Sequence, residues 1–294
     1  MTVIARRTPA GSQADGSARS HAPTAWRAIA ARNQGQRHGP VNRLLSPGLA
    51  NSLKPFVFLD HFDFQSAGET MFPMHPHSGI ATATVLLEGR MRYEDTTGAS
   101  GVLEAGSVEW MRAGKGVWHD GVPLPGQRLR GYQLWVALPQ ALELAPAQSQ
   151  YLQPADVAQV GNVRVILGQY QGVQSKVDAP EGIQYLYVSL RAGETIELAP
   201  PPGHAVAWLH VGHGALRAGD ERIADELVVF EEGGQTVRLT AEHATGFIFG
   251  TARKHPHDLV LGAYSVHTSA AALRQGEQEI ARLGAQLRAS GRAV

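Results

Sequence analysis

MHPHSG at residues 74–79, GRMRYEDTTGASG at 89–101 and GSVEWMRAGKGVWHDG at 106–121 decide how this chain reads. The first piece carries two histidines one residue apart, His75 and His77, and the last carries a third, His119. Side chains on a strand alternate sides with period two, so His75 and His77 point to one face. A strand–turn–strand stretch with a glycine-rich bend then returns His119 from a distant strand. A β-barrel can build a metal site this way, with several imidazoles aimed into one cavity. Three neutral imidazoles leave coordination positions free, the character of a catalytic metal site rather than a structural one. The turn Gly114-Lys-Gly116 permits a tight reversal that steers His119 inward. Pro76 stiffens the backbone between the paired histidines and removes one ladder donor.

Outward from this segment the chain is a series of short strands. Phe56-Val-Phe-Leu-Asp-His-Phe after Pro55 reads as a buried strand, and Thr82-Ala-Thr-Val-Leu-Leu runs into the turn Glu88-Gly89. Val108-Glu-Trp-Met and Gly131-Tyr-Gln-Leu-Trp-Val-Ala-Leu follow. Turn signals recur every roughly 8–12 residues, the pattern of a β-barrel or sandwich. A second series starts after the polar stretch 139–161, with strands beginning at Val163, Ile183, Ala205, Glu226, Thr236 and Gly246. Both halves share a strand–glycine turn–strand grammar, which points to two diverged copies of one β-barrel. Ala271, Leu273, Ile280, Leu283 and Leu287 fall at helical spacing, with Ser269 as a cap and Gly291 beyond the end, so one amphipathic helix closes the chain. The expected division is a flexible tail at 1–24, an N-terminal barrel with the metal site at 25–150, a C-terminal barrel without metal at 151–268, and the helix and tail at 269–294.

Composition bounds the function. Lys+Arg and Asp+Glu are equal at 26 each, which gives no basic footprint for direct nucleic-acid binding. The absence of cysteine excludes disulfides, thiolate ligands and a cysteine nucleophile. No apolar run approaches the ~20 residues of a membrane span, and Arg6-Arg7 is followed by a polar stretch rather than a signal core. A cytoplasmic protein with no membrane partner is the expectation. Of the other histidines, His61 beside Asp60 reads as structural. His204, His210 and His213 could mark a vestigial second site, and His255-Pro-His257 reads as a loop.

FLDHF at 58–62, HPHSG at 75–79, LLEG at 86–89 and the run from Gly106 to His119 resemble the pirin family in order and spacing. The second half, through Gly250 and Gly262-Ala-Tyr-Ser-Val, resembles it more loosely. The resemblance implies an all-β bicupin, two antiparallel barrels face to face with a C-terminal helix. It implies one divalent metal, most often Fe(II), in the N-terminal barrel, held by His75, His77, His119 and a glutamate two residues later. That position is Gly121 here, and the alternative cupin acid position is Ala81, so both expected acids are missing. A carboxylate offsets the charge of the dication, so metal retention is the question the substitutions raise. The resemblance also implies a quercetin 2,3-dioxygenase-like activity on a flavonol or other enolate, with O2 as co-substrate. The alternatives are a non-enzymatic redox or partner-binding regulator, and a degenerate cupin without metal. No catalytic base is assigned, because the residue that would serve is Gly121.

Overall fold

The computed structural model describes residues 26–45, 47–68 and 72–293. The expected tail at 1–24 lies outside the described residues. Two seven-stranded sheets dominate, and every pairing within the sheets is antiparallel. The first runs, in spatial order, through Gln148–Leu152, Val108–Arg112, Ile80–Glu88, Arg128–Ala137, Phe56–Gln65, Val41–Leu45 and Gln36–His38. The second runs through Ile29–Asn33, Leu227–Phe230, Val206–His213, Thr245–Ala252, Ile183–Leu190, Val163–Leu167 and Gln159–Val160.

A four-stranded sheet accompanies each large one. Phe72–His77, Val117–Pro123, Met91–Asp95 and Ser100–Leu103 form it in the first half. Thr195–Leu198, Val237–Ala241, Leu216–Ala218 and Glu221–Ile223 repeat the arrangement in the second. The two halves are therefore copies of one barrel plan, as the repeated strand grammar predicts.

The central strands are buried on both faces. Ile80–Leu86 is buried without a break, and so is all of Thr245–Ala252. Alternation of burial vanishes where both faces of a strand are covered, so Thr82, Thr84, Thr245 and Thr251 are buried along with their apolar neighbours. One apolar cluster crosses between the halves, joining Phe56, Trp110 and Tyr132 to Tyr185, Trp208 and Ile248. The Phe56 and Trp208 rings meet edge to face with centroids 5.3 Å apart.

The closing helix spans Ala270–Ala289, and the Ser269 hydroxyl accepts from the Ala272 amide as its N-cap. Several elements lie beyond the sequence reading, and two of them tie the chain together. A short helix, Pro47–Leu53, precedes the strand Phe56–Gln65. The strand Ile29–Asn33, early in the chain, pairs with Leu227–Phe230 of the second sheet rather than with the first.

Candidate metal centre

The three predicted histidines converge. His75 and His77 end the strand Phe72–His77, and His119 sits on Val117–Pro123. These strands pair antiparallel with His119 directly opposite His75, so the three ligand nitrogens all lie within 4.8 Å of one another. The turn before His119 needs its glycine. Gly114 has φ of 52°, and a Cβ there would overlap the Ala145 carbonyl.

The orientation of each ring follows from its outer nitrogen. Nδ1 of His75 lies 2.7 Å from the Pro73 carbonyl, and Nδ1 of His77 lies 3.1 Å from the Tyr264 carbonyl. A carbonyl only accepts, so both Nδ1 atoms carry the proton and both Nε2 atoms present a lone pair. Nδ1 of His119 faces the Glu109 carboxylate at 3.4 Å, beyond ordinary hydrogen-bond reach, so the acid favours the same tautomer without fixing it. The inner atoms then converge: Nε2 of His119 is 3.1 Å from Nε2 of His75, and Nε2 of His77 is buried without a partner. Three lone pairs pointing at one centre repel unless a cation sits between them. The donor set fits a divalent transition metal at nitrogen distances near ~2.1 Å. Burial lowers the His75 pKa to about 4, with the neighbouring His119 adding to the effect. Burial also pushes His77 well below its ordinary value. Both rings are therefore neutral at pH 7, the protonation state a ligand needs.

Neither acid position carries a carboxylate, and both are tightly packed. Ala81 is fully buried in the core cluster. At Gly121 a Cβ would stand 2.9 Å from Sδ of Met91, whose side chain occupies the space a longer residue would take. A carboxylate does reach the site from another strand. Glu109, on Val108–Arg112, is 4% exposed and accepts a hydrogen bond from the Thr84 hydroxyl. Sequence reasoning missed it, because the search for an acid followed chain offsets from the histidines. Its one sequence signal was a lone acid in the otherwise apolar Val108-Glu-Trp-Met run. Asp120 also lines the cavity beside His75 and His119, at a register irregularity between His119 and Gly121, but it does not join the ligand group. Burial raises its pKa.

That cavity is bounded by Phe62, Met91 and Tyr93 on the apolar side and by Thr84, Glu109 and Gln133 on the polar side. The room left inside is about 20 Å³, enough for one water. The other histidines assemble no second centre among the described residues. His204 bonds the Thr251 hydroxyl, His210 bonds Tyr132, and His213 is exposed. His255 lies on irregular chain, 3.2 Å from the Leu138 carbonyl. His61 stacks on Tyr132.

Comparison with known proteins adds to this geometry. Residues 38–136 match the family model described as Pirin. A "Pirin-like protein" of Caulobacter vibrioides is 37% identical over 211 residues, covering 68% of this chain and 76% of the relative. A Pseudomonas aeruginosa protein provisionally named quercetin 2,3-dioxygenase is 40% identical over 195 residues, covering 62% of this chain and 68% of its own. Among solved structures, a quercetin 2,3-dioxygenase from Acinetobacter baumannii superposes with a TM-score of 0.81 at 24% identity, covering 87% of this chain and 97% of that one. A nickel(II) complex of a bacterial pirin from Escherichia coli superposes with a TM-score of 0.60 at 17% identity, covering 78% and 98%. These two likenesses speak to the fold.

Proposed function

The chain belongs to the pirin family, and from that premise we propose that it is a metal-dependent oxygenase of the quercetin 2,3-dioxygenase type. The observation that carries the reading is the convergence of three imidazoles within 4.8 Å, with an acceptor lying behind each ring. His75, His77 and His119 would hold one divalent transition metal, Fe(II) in the form the family resemblance implies. When bound, the metal would supply Lewis-acid and redox chemistry toward an enolate oxygen and O2. Partial exposure leaves His75 at the open side of the site, while burial of His77 and His119 excludes water from the inner side. Phe62, Met91 and Tyr93 offer apolar surface to an aromatic substrate, and Gln133 offers an amide to a substrate hydroxyl. The division into barrels at 25–150 and 151–268, with the helix and tail at 269–294, is part of the same proposal. The strand Ile29–Asn33 adds one exchange between the barrels.

A specific observation favours a second reading, a metal-carrying regulator that binds a partner without turnover. The cavity beside the histidines holds about 20 Å³, far below the ~300 Å³ at which ligand pockets begin. A flavonol enters only if Met91 or Tyr93 swings aside. Two measurements decide. Elemental analysis of protein purified without chelator should find close to one equivalent of a transition metal, and oxygen uptake should follow addition of quercetin. Metal without oxygen uptake would transfer the protein to the regulatory reading, and protein without metal would remove both in favour of a degenerate cupin.

A further inference from the structure

We propose that Glu109 provides the negative charge that position 121 no longer supplies, and that it acts through His119 as a positioning residue rather than as a ligand. The inference rests on the metal-site reading above and deepens it.

Glu109 is a carboxyl group in an unusual setting. Its side chain is 5% exposed, and among the described residues no lysine or arginine forms a salt bridge with it; Nδ1 of His119 lies 3.4 Å away. A buried carboxyl with no lysine or arginine beside it is costly unless positive charge lies nearby. The positive charge this architecture can offer is a cation at the three Nε2 atoms. Glu109 is held ready for it. One oxygen accepts from the Thr84 hydroxyl, and the other faces Nδ1 of His119. Thr84 is also the residue opposite Glu109 in the strand pairing, so the hydroxyl and the carboxylate are placed by register and not by loop geometry.

The separation of 3.4 Å from Nδ1 exceeds the usual hydrogen-bond distance. A cation on Nε2 withdraws electrons from the ring and makes the Nδ1 proton a stronger donor, so loading the site should shorten this contact. A carboxylate behind a ligating imidazole fixes the tautomer and raises ligand basicity, and such partners typically govern metal affinity ten- to a hundredfold. His75 and His77 have neutral carbonyls behind their rings, so His119 is the ligand with a charged support. The wall at Gly121 is consistent with this transfer. Met91 stands over the space there, and the acid stands on the preceding strand of the chain, Val108–Arg112.

The test is nickel(II) affinity of the full chain, measured by competition with a chromophoric chelator. Glu109→Gln keeps the shape and can still accept from Thr84, but it removes the charge; it should bind nickel about 10- to 100-fold more weakly. Thr84→Val, which loosens the carboxylate without removing it, should weaken binding less. In a His119→Ala background, Glu109→Gln should cost nothing further, because the carboxylate has lost the ring through which it acts. The thermal midpoint of the metal-free protein should not fall in Glu109→Gln, which separates positioning from simple loss of structure. Affinity within twofold of the parent, or an undiminished loss in the His119→Ala background, overturns the proposal and leaves the three-histidine site standing. A parent chain that binds no nickel overturns the site itself and this proposal with it.

Discussion

At the scale of single residues, each imidazole is aimed from behind by a different acceptor, and the three supports are unequal. His77 is fully buried and depends on the Tyr264 carbonyl, so His77→Ala should reduce the metal content of purified protein to background. Elemental analysis checks this, and full metal retention would show that His75 and His119 suffice. Met91 is the residue that sets the free volume. It is 6% exposed and overhangs Gly121. Met91→Ala should cost about 2–5 kcal/mol of stability by removing buried apolar volume, and should lower KM for quercetin if the oxygenase reading holds. Denaturant unfolding and oxygen-uptake kinetics measure the two effects separately. Restoring the family acid is less simple than the sequence implies, because a side chain at 121 must displace Met91; Gly121→Glu should destabilise by about 1–3 kcal/mol through overpacking. The histidines were legible in the sequence because strand alternation ties His75 to His77 by spacing alone. Glu109 was not, because its place beside His119 depends on which strands neighbour each other, and no chain offset encodes that.

At the scale of elements, the C-terminal segment closes the barrel that carries the three histidines rather than merely covering it. Val266–His267 and the helix return to the first half, where the Trp118 indole donates to the Ile280 carbonyl. Ser78, the residue after His77, bonds the Ser265 hydroxyl and lies 3.0 Å from Nε2 of His267. Glu143 then accepts from the Thr268 amide and hydroxyl and lies 3.2 Å from Nδ1 of His267. The order hydroxyl, imidazole, carboxylate mimics an acyl-transfer relay. Ser78 and His267 are 0% and 1% exposed, however, so no substrate can reach the hydroxyl and the network is a clasp. Its consequence is positional, since it anchors the segment whose Tyr264 carbonyl orients His77. Gly276 of the helix sits over this clasp, where a Cβ would stand 2.9 Å from Cβ of Ser78. Gly276→Ala should therefore lower the thermal midpoint, by about 1–3 kcal/mol in stability, and weaken metal retention although the residue lies outside the site. An unchanged midpoint, followed by circular dichroism, would show that the helix shifts freely. The helix itself was readable from its apolar spacing and its serine cap, but its buried face is Ala272, Gly276, Gly284 and Leu287, and Ala271 is exposed, because small residues let the helix lie close on the barrel. Its docking on the histidine-bearing barrel was not, because that rests on contacts with Trp118 and Ser78, far away in the chain.

At the scale of the whole molecule, the two barrels meet through a buried polar group set inside an apolar seam. Tyr132 of the first half is hydrogen-bonded to Nδ1 of His210 of the second at 2.9 Å, and His61 stacks on Tyr132. Gly212 lets the seam close, since a Cβ there would overlap the Tyr132 hydroxyl. The twofold grammar of the sequence foretold two barrels, but not that histidines called structural or vestigial would line their junction. Burial is the main cause that lowers His61 to about 4, with Arg130 and Arg37 adding to it and Asp63 and Asp225 opposing it. Burial also holds His210 well below its ordinary value. Between about pH 4 and pH 6.5 the unfolded chain binds more protons than the folded one, so stability must fall as pH falls through that window. For His61 alone the loss reaches on the order of 3 kcal/mol once pH is below 4, and nothing is lost above 6.5. His75 and His204, also lowered to about 4, contribute in the same window, so the parent curve alone cannot isolate the seam. The comparison with His61→Phe can, because phenylalanine keeps the stacking on Tyr132 and does not titrate. Denaturant unfolding of the metal-free protein at a series of pH values should give a shallower slope for the variant, by up to about 1.4 kcal/mol per pH unit. Superimposable slopes would mean that His61 takes up its proton without disturbing the seam, and that the Tyr132–His210 bond and the apolar contacts hold it.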